Sequence, residues 1–208
     1  MTDEAAHAIT TPEALAGLYG PVAEASLLKE TDHIHPLYRP FIEAAPFAVL
    51  ATAGASGLDA SPRGDPAGFV HVEDERTLLL PDRRGNNRID SLRNILEDPR
   101  VALLFLVPGI GETLRVNGSA EISVAPDLLK RFTLADRPPT CVLRIRVSTV
   151  FFQCSRAILR SELWNAARHL ERNRLPSPGA ILQAVSRSGF HGEAYDQALP
   201  ARLKSSLY

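Results

Sequence analysis

The chain has 208 residues, of which 45% are hydrophobic and 23% are charged, values close to those of ordinary globular domains. This composition excludes a chain that is disordered throughout, because enough apolar side chains are present to build a core. The 23 Lys and Arg residues nearly balance the 24 Asp and Glu residues, and a net charge of −1 disfavours a strongly basic nucleic-acid-binding protein.

The cysteines and the start of the chain exclude further classes. Cys141 and Cys154 have no histidine close by in the sequence, so they predict small buried apolar side chains in a reducing compartment rather than a disulfide or metal site. Residues 1–4 are acidic and lack the features of a signal peptide. The longest apolar run, 101–110, is too short for a membrane-spanning helix. We therefore expect a cytoplasmic protein with no membrane partner and no metal.

Residues 1–45 are predicted to form a helical N-terminal extension. Thr11 is a typical N-cap residue, and Pro12 follows at a favourable first helical position. Apolar residues then recur at helical spacing until Gly20 and Pro21 end the helix. A second helix is predicted over residues 22–29.

From residue 46 onward, short strands dominate the predicted structure. The segments with strand character are 47–52, 58–63, 69–72, 77–80, 101–107, 113–118, 120–124 and 141–147. The run 101–107 is continuously apolar, which is typical of a strand buried on both faces. The segments 113–118 and 120–124 are predicted as a hairpin that turns near Gly118.

Two short helices interrupt these strands. The first is amphipathic and ends at the Asp98-Pro99 pair, and its predicted apolar face consists of Ile89, Leu92, Ile95 and Leu96. The second covers residues 126–132. The order of elements predicts six or seven antiparallel strands in a small, mainly β barrel.

The domain prediction has three parts, namely the helical extension 1–45, the barrel 46–150 and a C-terminal helical wrap 151–208. The breaks predicted within the wrap are Pro176, Pro178, Gly179 and Gly189.

The segment 81–94 carries the clearest chemical signal. It contains four arginines and three asparagines, and it lies between a predicted strand and a predicted helix. Backbone N–H groups at a helix N-terminus, together with guanidinium groups, suit a phosphate. Arg63 lies on an earlier strand that is expected to run near this loop. The alternative interpretation is a solvated surface loop, in which the arginines pair with Asp82, Asp90, Glu97 and Asp98.

Other motifs carry less information. The chain has neither a P-loop nor a G-x-G-x-x-G sequence. His33 and His35 are interpreted as part of a polar loop, and Trp164 as an amphipathic anchor. Ser155 and Ser161 lack the setting of a nucleophile elbow, so no catalytic residue is assigned.

Several short motifs together resemble a known family. They are Ser61–Asp65, Leu80–Asn86, Arg88–Leu92, Asp98–Val101, Leu103–Phe105, Pro108–Gly109 and Glu112–Val116. Their order and spacing resemble the pyridoxamine 5′-phosphate oxidase-like family of FMN-binding split barrels, and more narrowly a bacterial subfamily of FMN-dependent proteins. The resemblance covers about residues 40–165.

The resemblance implies a six-stranded antiparallel split β-barrel with helical N- and C-terminal segments. It also implies a homodimer that binds FMN at the subunit interface. By position, Arg63 matches an arginine that reaches the flavin phosphate or ribityl chain, Pro81 and Asp82 match residues lining the isoalloxazine ring, and Arg88 and Ser91 match the phosphate-binding pair. Thr113 lies near a position that approaches the flavin from the following strand, Arg115 lies two residues further along that strand, and Asn86 is an additional donor.

The helix start departs from the family pattern, since Asp90-Ser91 stands where a basic pair is usual. Arg88 would then supply the charge, and we expect its loss to weaken FMN binding more than the loss of Arg63. The family's substrate-phosphate residues have no match near the C-terminus, which disfavours pyridoxamine 5′-phosphate as the substrate.

The sequence therefore predicts a homodimeric FMN-dependent oxidoreductase acting on a small molecule. A second hypothesis is a non-catalytic flavin- or haem-binding sensor or carrier. A third, a nucleic-acid-binding barrel that uses residues 83–100, is disfavoured because that segment contains no aromatic side chain for stacking on bases.

Overall fold

The computed structural model describes residues 7–186 and 189–207. The chain divides into two compact units, the first ending at Glu30 and the second beginning at Thr31. The first unit contains helices α1 (Pro12–Ala16) and α2 (Glu24–Leu28). Thr11 caps α1 as predicted, since its hydroxyl accepts a hydrogen bond from the amide of Ala14 at 3.2 Å. The acidic residues 1–4 lie outside the described part of the chain.

The second unit contains the strands and the remaining helices. In chain order these are α3 (Arg39–Ala44), β1 (Phe47–Gly54), β2 (Gly57–Gly64), β3 (His71–Asp74), β4 (Thr77–Asp82), α4 (Asp90–Glu97), β5 (Arg100–Leu106), β6 (Thr113–Ser123), α5 (Pro126–Arg131), β7 (Cys141–Gln153), α6 (Arg156–Ser161), α7 (Pro178–Val185) and α8 (Gly192–Ser206). Two short 3₁₀ turns lie between α6 and α7.

The strands of the described chain form one antiparallel sheet in the order β2-β1-β5-β6-β7-β4-β3. The sheet curls until β2 approaches the end of β4, where Arg63 of β2 forms an ion pair with Asp82 of β4. The mainly β, antiparallel split-barrel prediction is confirmed. The sheet has seven strands where six were expected.

The predicted hairpin at Gly118 is wrong, because residues 113–123 form the single long strand β6. The register against β7 shifts between Asn117 and Gly118, so this glycine marks a β-bulge rather than a turn. A Cβ atom at Gly118 would lie 2.2 Å from the carbonyl oxygen of Arg146, so only glycine allows β7 to approach this closely.

One face of the sheet holds the core. Along β1 and β5 every second side chain is buried, which is the period-two pattern of a sheet with one covered face. The largest fully buried side chains are Ile42, Leu50, Val70, Leu78, Leu79, Leu80, Leu103, Phe105, Leu114, Val116, Leu143 and Ile145. Within the chain, β5 is fully covered on one face and only half-covered on the other, whereas its apolar run predicted burial on both.

Helix α4 buries only part of the predicted apolar face, since Ile95 is buried and Leu92 packs against the core but the other two residues are exposed. Ser91, Asn94 and Ile95 are buried, whereas Leu96 is 78% exposed and Ile89 is 47% exposed. The polar residues are buried because they find partners in the β1–β2 hairpin. The amide nitrogen of Asn94 donates to the hydroxyl of Thr52 at 3.1 Å. This contact holds the second turn of α4 against β1.

The C-terminal segment follows the prediction in part. Pro178 begins α7 rather than breaking a helix, because proline is well accommodated in the first turn. Helices α7 and α8 pack closely where Gly179 meets Gly192. The indole nitrogen of Trp164 donates to the carbonyl oxygen of Ile110 at 2.8 Å, an anchoring role as expected. The three-part domain organisation stays a prediction.

The cysteine prediction is half right, since Cys141 is buried but Cys154 is exposed at the end of β7.

Within residues 7–186 and 189–207, no helix combines the length and apolar character needed to cross a bilayer.

Candidate cofactor site

A cavity of about 540 Å³ opens between β2, the end of β4 and the start of α4. We call it the main cavity. Its lining consists of residues 59–63, 82–92 and Thr140. Five predicted site residues lie in it, namely Arg63, Asp82, Asn86, Arg88 and Ser91. The expectation that Arg63 runs near the arginine-rich loop is therefore confirmed.

Arg63 is the centre of a polar network in the main cavity. Its guanidinium forms an ion pair with Asp82 and donates to the hydroxyl of Ser91 at 3.2 Å. Ser91 in turn donates to a carboxylate oxygen of Asp59 at 2.5 Å. The side chains of Arg63 and Asp82 are 19% and 13% exposed, so the pair is largely removed from water. Such a pair is strongly held because the breaking of either partner leaves a buried charge.

One donor of this network is unused. The Nε atom of Arg63 is buried and has no hydrogen-bond partner among the described residues. A buried N–H group normally has a partner, and leaving one unpaired costs about 1–3 kcal/mol. The observation therefore points to an acceptor that the protein chain does not itself provide.

The other arginines of the loop differ in their surroundings. Arg83 donates to Asp65 at 2.8 Å and to the carbonyl oxygen of Phe132 at 2.7 Å, so it is held in place by protein groups. Arg88 is 76% exposed and pairs with Asp90 at 2.8 Å, as the surface-loop interpretation predicted. Arg84 is exposed and has no ion pair or hydrogen bond within the described chain.

The loop 83–89 places the start of α4 at the main cavity. Asn87 and Ile89 adopt positive φ angles of 59° and 52°, a left-handed conformation that non-glycine residues rarely take. The side chain of Asn86 accepts a hydrogen bond from the amide of Arg88 at 3.0 Å, which supports this turn. No side chain caps α4. Its first-turn N–H groups have no partners within the helix, and the residues that carry them, 90–92, line the cavity. Such groups favour an anion.

Three predicted residues lie away from the main cavity of this chain. Pro81 is buried in β4. Thr113 and Arg115 lie on the outward face of β6, where the guanidinium of Arg115 stacks over the ring of Phe151 at 5.6 Å and donates to Asn117 at 3.1 Å. A single chain does not bring them to the same site as Arg63.

Asp59 and Thr140 are two of the lining residues that sequence reasoning missed. Asp59 belongs to the site because it contacts Ser91. Thr140 belongs to it because the register of β4 against β7 places Thr140 beside Asp82. The amide of Thr140 donates to the carbonyl oxygen of Asp82 at 3.0 Å. Both contacts are long-range in sequence, so no local pattern could reveal them.

Cys141 lies behind the cavity, directly opposite Asp82 in the sheet. Burial, together with the negative charge of Asp82, raises the pKa of its thiol to about 11. The thiol is therefore protonated at neutral pH and is a poor nucleophile, since the thiolate is the reactive form.

Fold and cavity together define a split β-barrel protein with an arginine-lined cleft at the start of a helix. The family model for pyridoxamine 5′-phosphate oxidase matches residues 34–154, more than half of the chain. The chain therefore belongs to the pyridoxamine 5′-phosphate oxidase family, as the sequence resemblance indicated. The matched range includes every predicted site residue.

Solved structures include similar proteins. HupZ of Group A Streptococcus is 21% identical, with a TM-score of 0.48 over 59% of this chain and 95% of HupZ. A candidate pyridoxamine 5′-phosphate oxidase from Lactobacillus delbrueckii is 22% identical, with a TM-score of 0.47 over 58% of this chain and 95% of its own. A general stress protein 26-related protein from Clostridium acetobutylicum is 12% identical, with a TM-score of 0.45 over 64% and 91% of the two chains. No curated protein matches this chain.

Proposed function

We propose that this protein binds FMN in the main cavity and acts as a homodimeric FMN-dependent oxidoreductase on a small molecule. The observation that carries the proposal is the buried, unpartnered Nε atom of Arg63 beside the open N-terminus of α4. A phosphate there would accept hydrogen bonds from the guanidinium and from first-turn amides, the arrangement by which proteins commonly hold phosphate groups.

The residues present fit FMN in chemistry and in size. The cavity volume of about 540 Å³ lies within the range of roughly 300–1,000 Å³ that is usual for small-molecule sites. Arg63, Ser91 and the α4 amides would hold the phosphate. Asn86 and Arg88, at the exposed rim, would add donors from the loop. Asp82 would fix the orientation of Arg63 and, by position, lie toward the ring system.

The outward face of the sheet supports the homodimer. Val49, Leu104 and Phe151 are half-buried on this face, and the register aligns Val49 with Leu104 and Arg115 with both Leu104 and Phe151. An apolar strip across the middle of a sheet is typical of a surface that a partner covers. We infer that a second copy of the chain supplies this cover. Thr113 and Arg115 would then face the partner's cofactor.

Bound FMN would supply the electron-transfer chemistry, and the protein would supply binding, orientation and shielding from water. The main cavity is lined by arginines, aspartates, amides and hydroxyls, with no His, Lys, Tyr or Cys among the described lining residues. Its three aspartates already have protein partners, Asp59 with Ser91, Asp82 with Arg63 and Asp90 with Arg88, so the chain's own contribution would be mainly positioning.

The same lining favours one alternative, a flavin-binding sensor or carrier without turnover. A site whose carboxylates are all engaged by protein groups is as suited to holding a cofactor as to catalysis. The alternative differs from the proposal only in whether the bound flavin exchanges electrons rapidly with a substrate.

The test is a reconstitution followed by reduction. The purified protein is loaded with FMN, and the flavin absorption is followed in a stopped-flow instrument after mixing with NADH, NADPH or a reduced deazaflavin. An oxidoreductase should bleach within seconds with at least one donor and recover with an acceptor. A flavin that stays bound but is reduced no faster than free FMN would overturn the enzymatic proposal in favour of the carrier.

A further inference from the structure

Two ion pairs join the end of β2 to the end of β4, with their charges in opposite order. Arg63 of β2 pairs with Asp82, the last residue of β4. Asp65, directly after β2, pairs with Arg83, directly after β4. In the sheet, β2 is the edge strand beside β1, whereas β4 lies between β7 and β3. In the described chain the two strand ends are therefore joined by side chains rather than by the backbone ladder.

The pair of Asp65 and Arg83 also reaches a third part of the chain. The side chains of Asp65 and Arg83 are 4% and 20% exposed. The Nε atom of Arg83 donates to Asp65 at 2.8 Å, and its Nη1 atom donates to the carbonyl oxygen of Phe132 at 2.7 Å. A guanidinium suits this double contact because its donors form a rigid planar fork. Arg83 therefore connects the ends of β2, β4 and α5.

The segment 132–140 leads from the end of α5 to the start of β7, and its last residue, Thr140, lines the main cavity. Two consecutive residues after and at the end of β4 hold its two ends. Arg83 holds the carbonyl oxygen of Phe132, and the carbonyl oxygen of Asp82 accepts from the amide of Thr140 at 3.0 Å. The position of this part of the cavity wall therefore depends on both contacts.

We propose that Arg83 is a positioning residue of the cofactor site. It fastens the segment 132–140 to the end of β2, and thereby sets the cavity wall that includes Thr140, without holding the ligand itself. This inference rests on the proposed function, because it concerns the wall of the proposed FMN site. A wall that is fixed before the ligand arrives lowers the entropic cost of binding.

Asp65 separates a positioning role of Arg83 from direct contact with the ligand, since Asp65 lies outside the described lining of the main cavity. If Arg83 bound the phosphate directly, Asp65→Asn would remove a competing negative charge and strengthen FMN binding. If Arg83 holds the wall, the same substitution releases Arg83 and weakens FMN binding, as Arg83→Gln does. The two roles therefore predict changes of opposite sign.

The test compares Asp65→Asn, Arg83→Gln and Arg83→Lys with the wild type. FMN affinity is measured by fluorescence titration, and backbone hydrogen exchange is measured on the FMN-free proteins. We expect FMN affinity at least fivefold weaker in all three variants, and amides of 132–140 that exchange at least tenfold faster while those of β5 keep their wild-type rates. Arg83→Lys keeps the charge but loses the planar fork, so it should not rescue either property.

A spectroscopic signal distinguishes positioning from a general loss of stability. The visible circular dichroism of FMN at saturation reports how firmly the surroundings of the bound flavin are fixed. We expect this signal to decrease in the three variants, although every site is occupied.

Two further variants complete the experiment. Asp65→Asn/Arg83→Gln leaves neither charge of the pair unpartnered, so it should fold even where a single variant does not, and it should still show fast exchange in 132–140. Arg93→Gln is the matched control, because Arg93 is an exposed arginine of α4 outside the described lining of the main cavity. It should match the wild type in every measurement.

The proposal is overturned by tighter or unchanged FMN binding in Asp65→Asn, or by wild-type affinity in Arg83→Lys. Unchanged exchange in 132–140, or faster exchange that extends equally to β5, would also overturn it. If the wild type does not bind FMN, the proposed function fails. The exchange of 132–140 in the FMN-free proteins still decides whether Arg83 holds that segment.

Discussion

Arg63 and Arg88 differ in burial, and this difference decides which of them matters more for the cofactor. The exposed Arg88, at 76%, is solvated and paired with Asp90, whereas Arg63 is 19% exposed and has an unused buried donor. Charged hydrogen bonds are stronger away from water. The structure therefore supports the reverse of the order expected from the sequence.

We predict that Arg63→Gln weakens FMN binding by about 1.5–3 kcal/mol, the contribution of a hydrogen bond to a charged group. Arg88→Gln should weaken it less. Equilibrium titration with FMN, followed by flavin fluorescence, measures both.

A structural control is needed because the loss of Arg63 leaves Asp82 without its partner. The double variant Arg63→Gln/Asp82→Asn should recover most of the thermal stability without recovering FMN affinity. Equal FMN affinity in the wild type and Arg63→Gln would show that the phosphate lies elsewhere.

His71 gives the fold a dependence on pH. Burial lowers its pKa from 6.5, Arg131 and Arg39 lower it further, and Glu73 and Glu43 raise it. Because the folded state prefers the neutral ring, the unfolded chain binds the proton more readily. The stability that neutral His71 provides is therefore present above pH 6.5 and decreases as the pH falls through that value.

We expect His71→Gln to lose less stability between pH 7.5 and 5.5, about one unit either side of an ordinary histidine pKa, than the wild type does. Urea unfolding across this range measures the difference. The control is His169→Gln at an exposed histidine, which should keep the wild-type slope. Identical slopes in all three proteins would contradict the assignment to His71.

At the scale of elements, the bulge in β6 makes the sharpest prediction. In Gly118→Ala the new methyl group would meet the carbonyl oxygen of Arg146 at 2.2 Å, so β6 and β7 must separate. We expect a loss of about 1–3 kcal/mol in the free energy of unfolding, the usual cost of overpacking. Gly20→Ala, where a Cβ atom meets nothing within 4 Å, is the control and should change the stability little. A wild-type midpoint for Gly118→Ala would show that the strands do not approach so closely.

Local patterns predicted most of the elements, and long-range contacts decided the rest. Residues 141–147 alternate between apolar and charged side chains, which predicts a strand, and a proline marks the start of some of the helices. Both signals could be read because they depend only on neighbours in the sequence. Gly118 was misread because glycine serves both turns and bulges, and only the position of β7 separates the two. Likewise, Asn94 is buried because Thr52 lies across from it.

The candidate site was predictable to a similar extent. The arginines and asparagines of 81–94, between a predicted strand and a predicted helix, already indicated a helix start suited to a phosphate, and the family resemblance singled out Arg88 and Ser91. The curl of the whole sheet brings Arg63 to Asp82 and places Thr140 in the cavity lining. No local sequence pattern predicts how far the sheet curls.

At the scale of the molecule, the apolar run of β5 bears on the proposed homodimer. Continuous apolar residues indicated a strand covered on both faces, yet a single chain covers only one fully. We predict that Leu104→Glu, in the half-buried outward row, converts the proposed dimer to a monomer and lowers FMN affinity. Sedimentation velocity measures the mass. Leu96→Glu, at an apolar residue that is 78% exposed on α4, should leave the dimer intact. A dimer that survives Leu104→Glu would place the interface elsewhere.

The most direct test of the account is the stoichiometry of FMN binding. The purified protein is titrated with FMN at concentrations well above the dissociation constant, and the change in flavin fluorescence or absorption is followed to saturation. We expect saturation at one FMN per chain and a rise in the thermal unfolding midpoint with FMN concentration. A protein that shows neither a flavin spectral change nor a shift in the unfolding midpoint would contradict it.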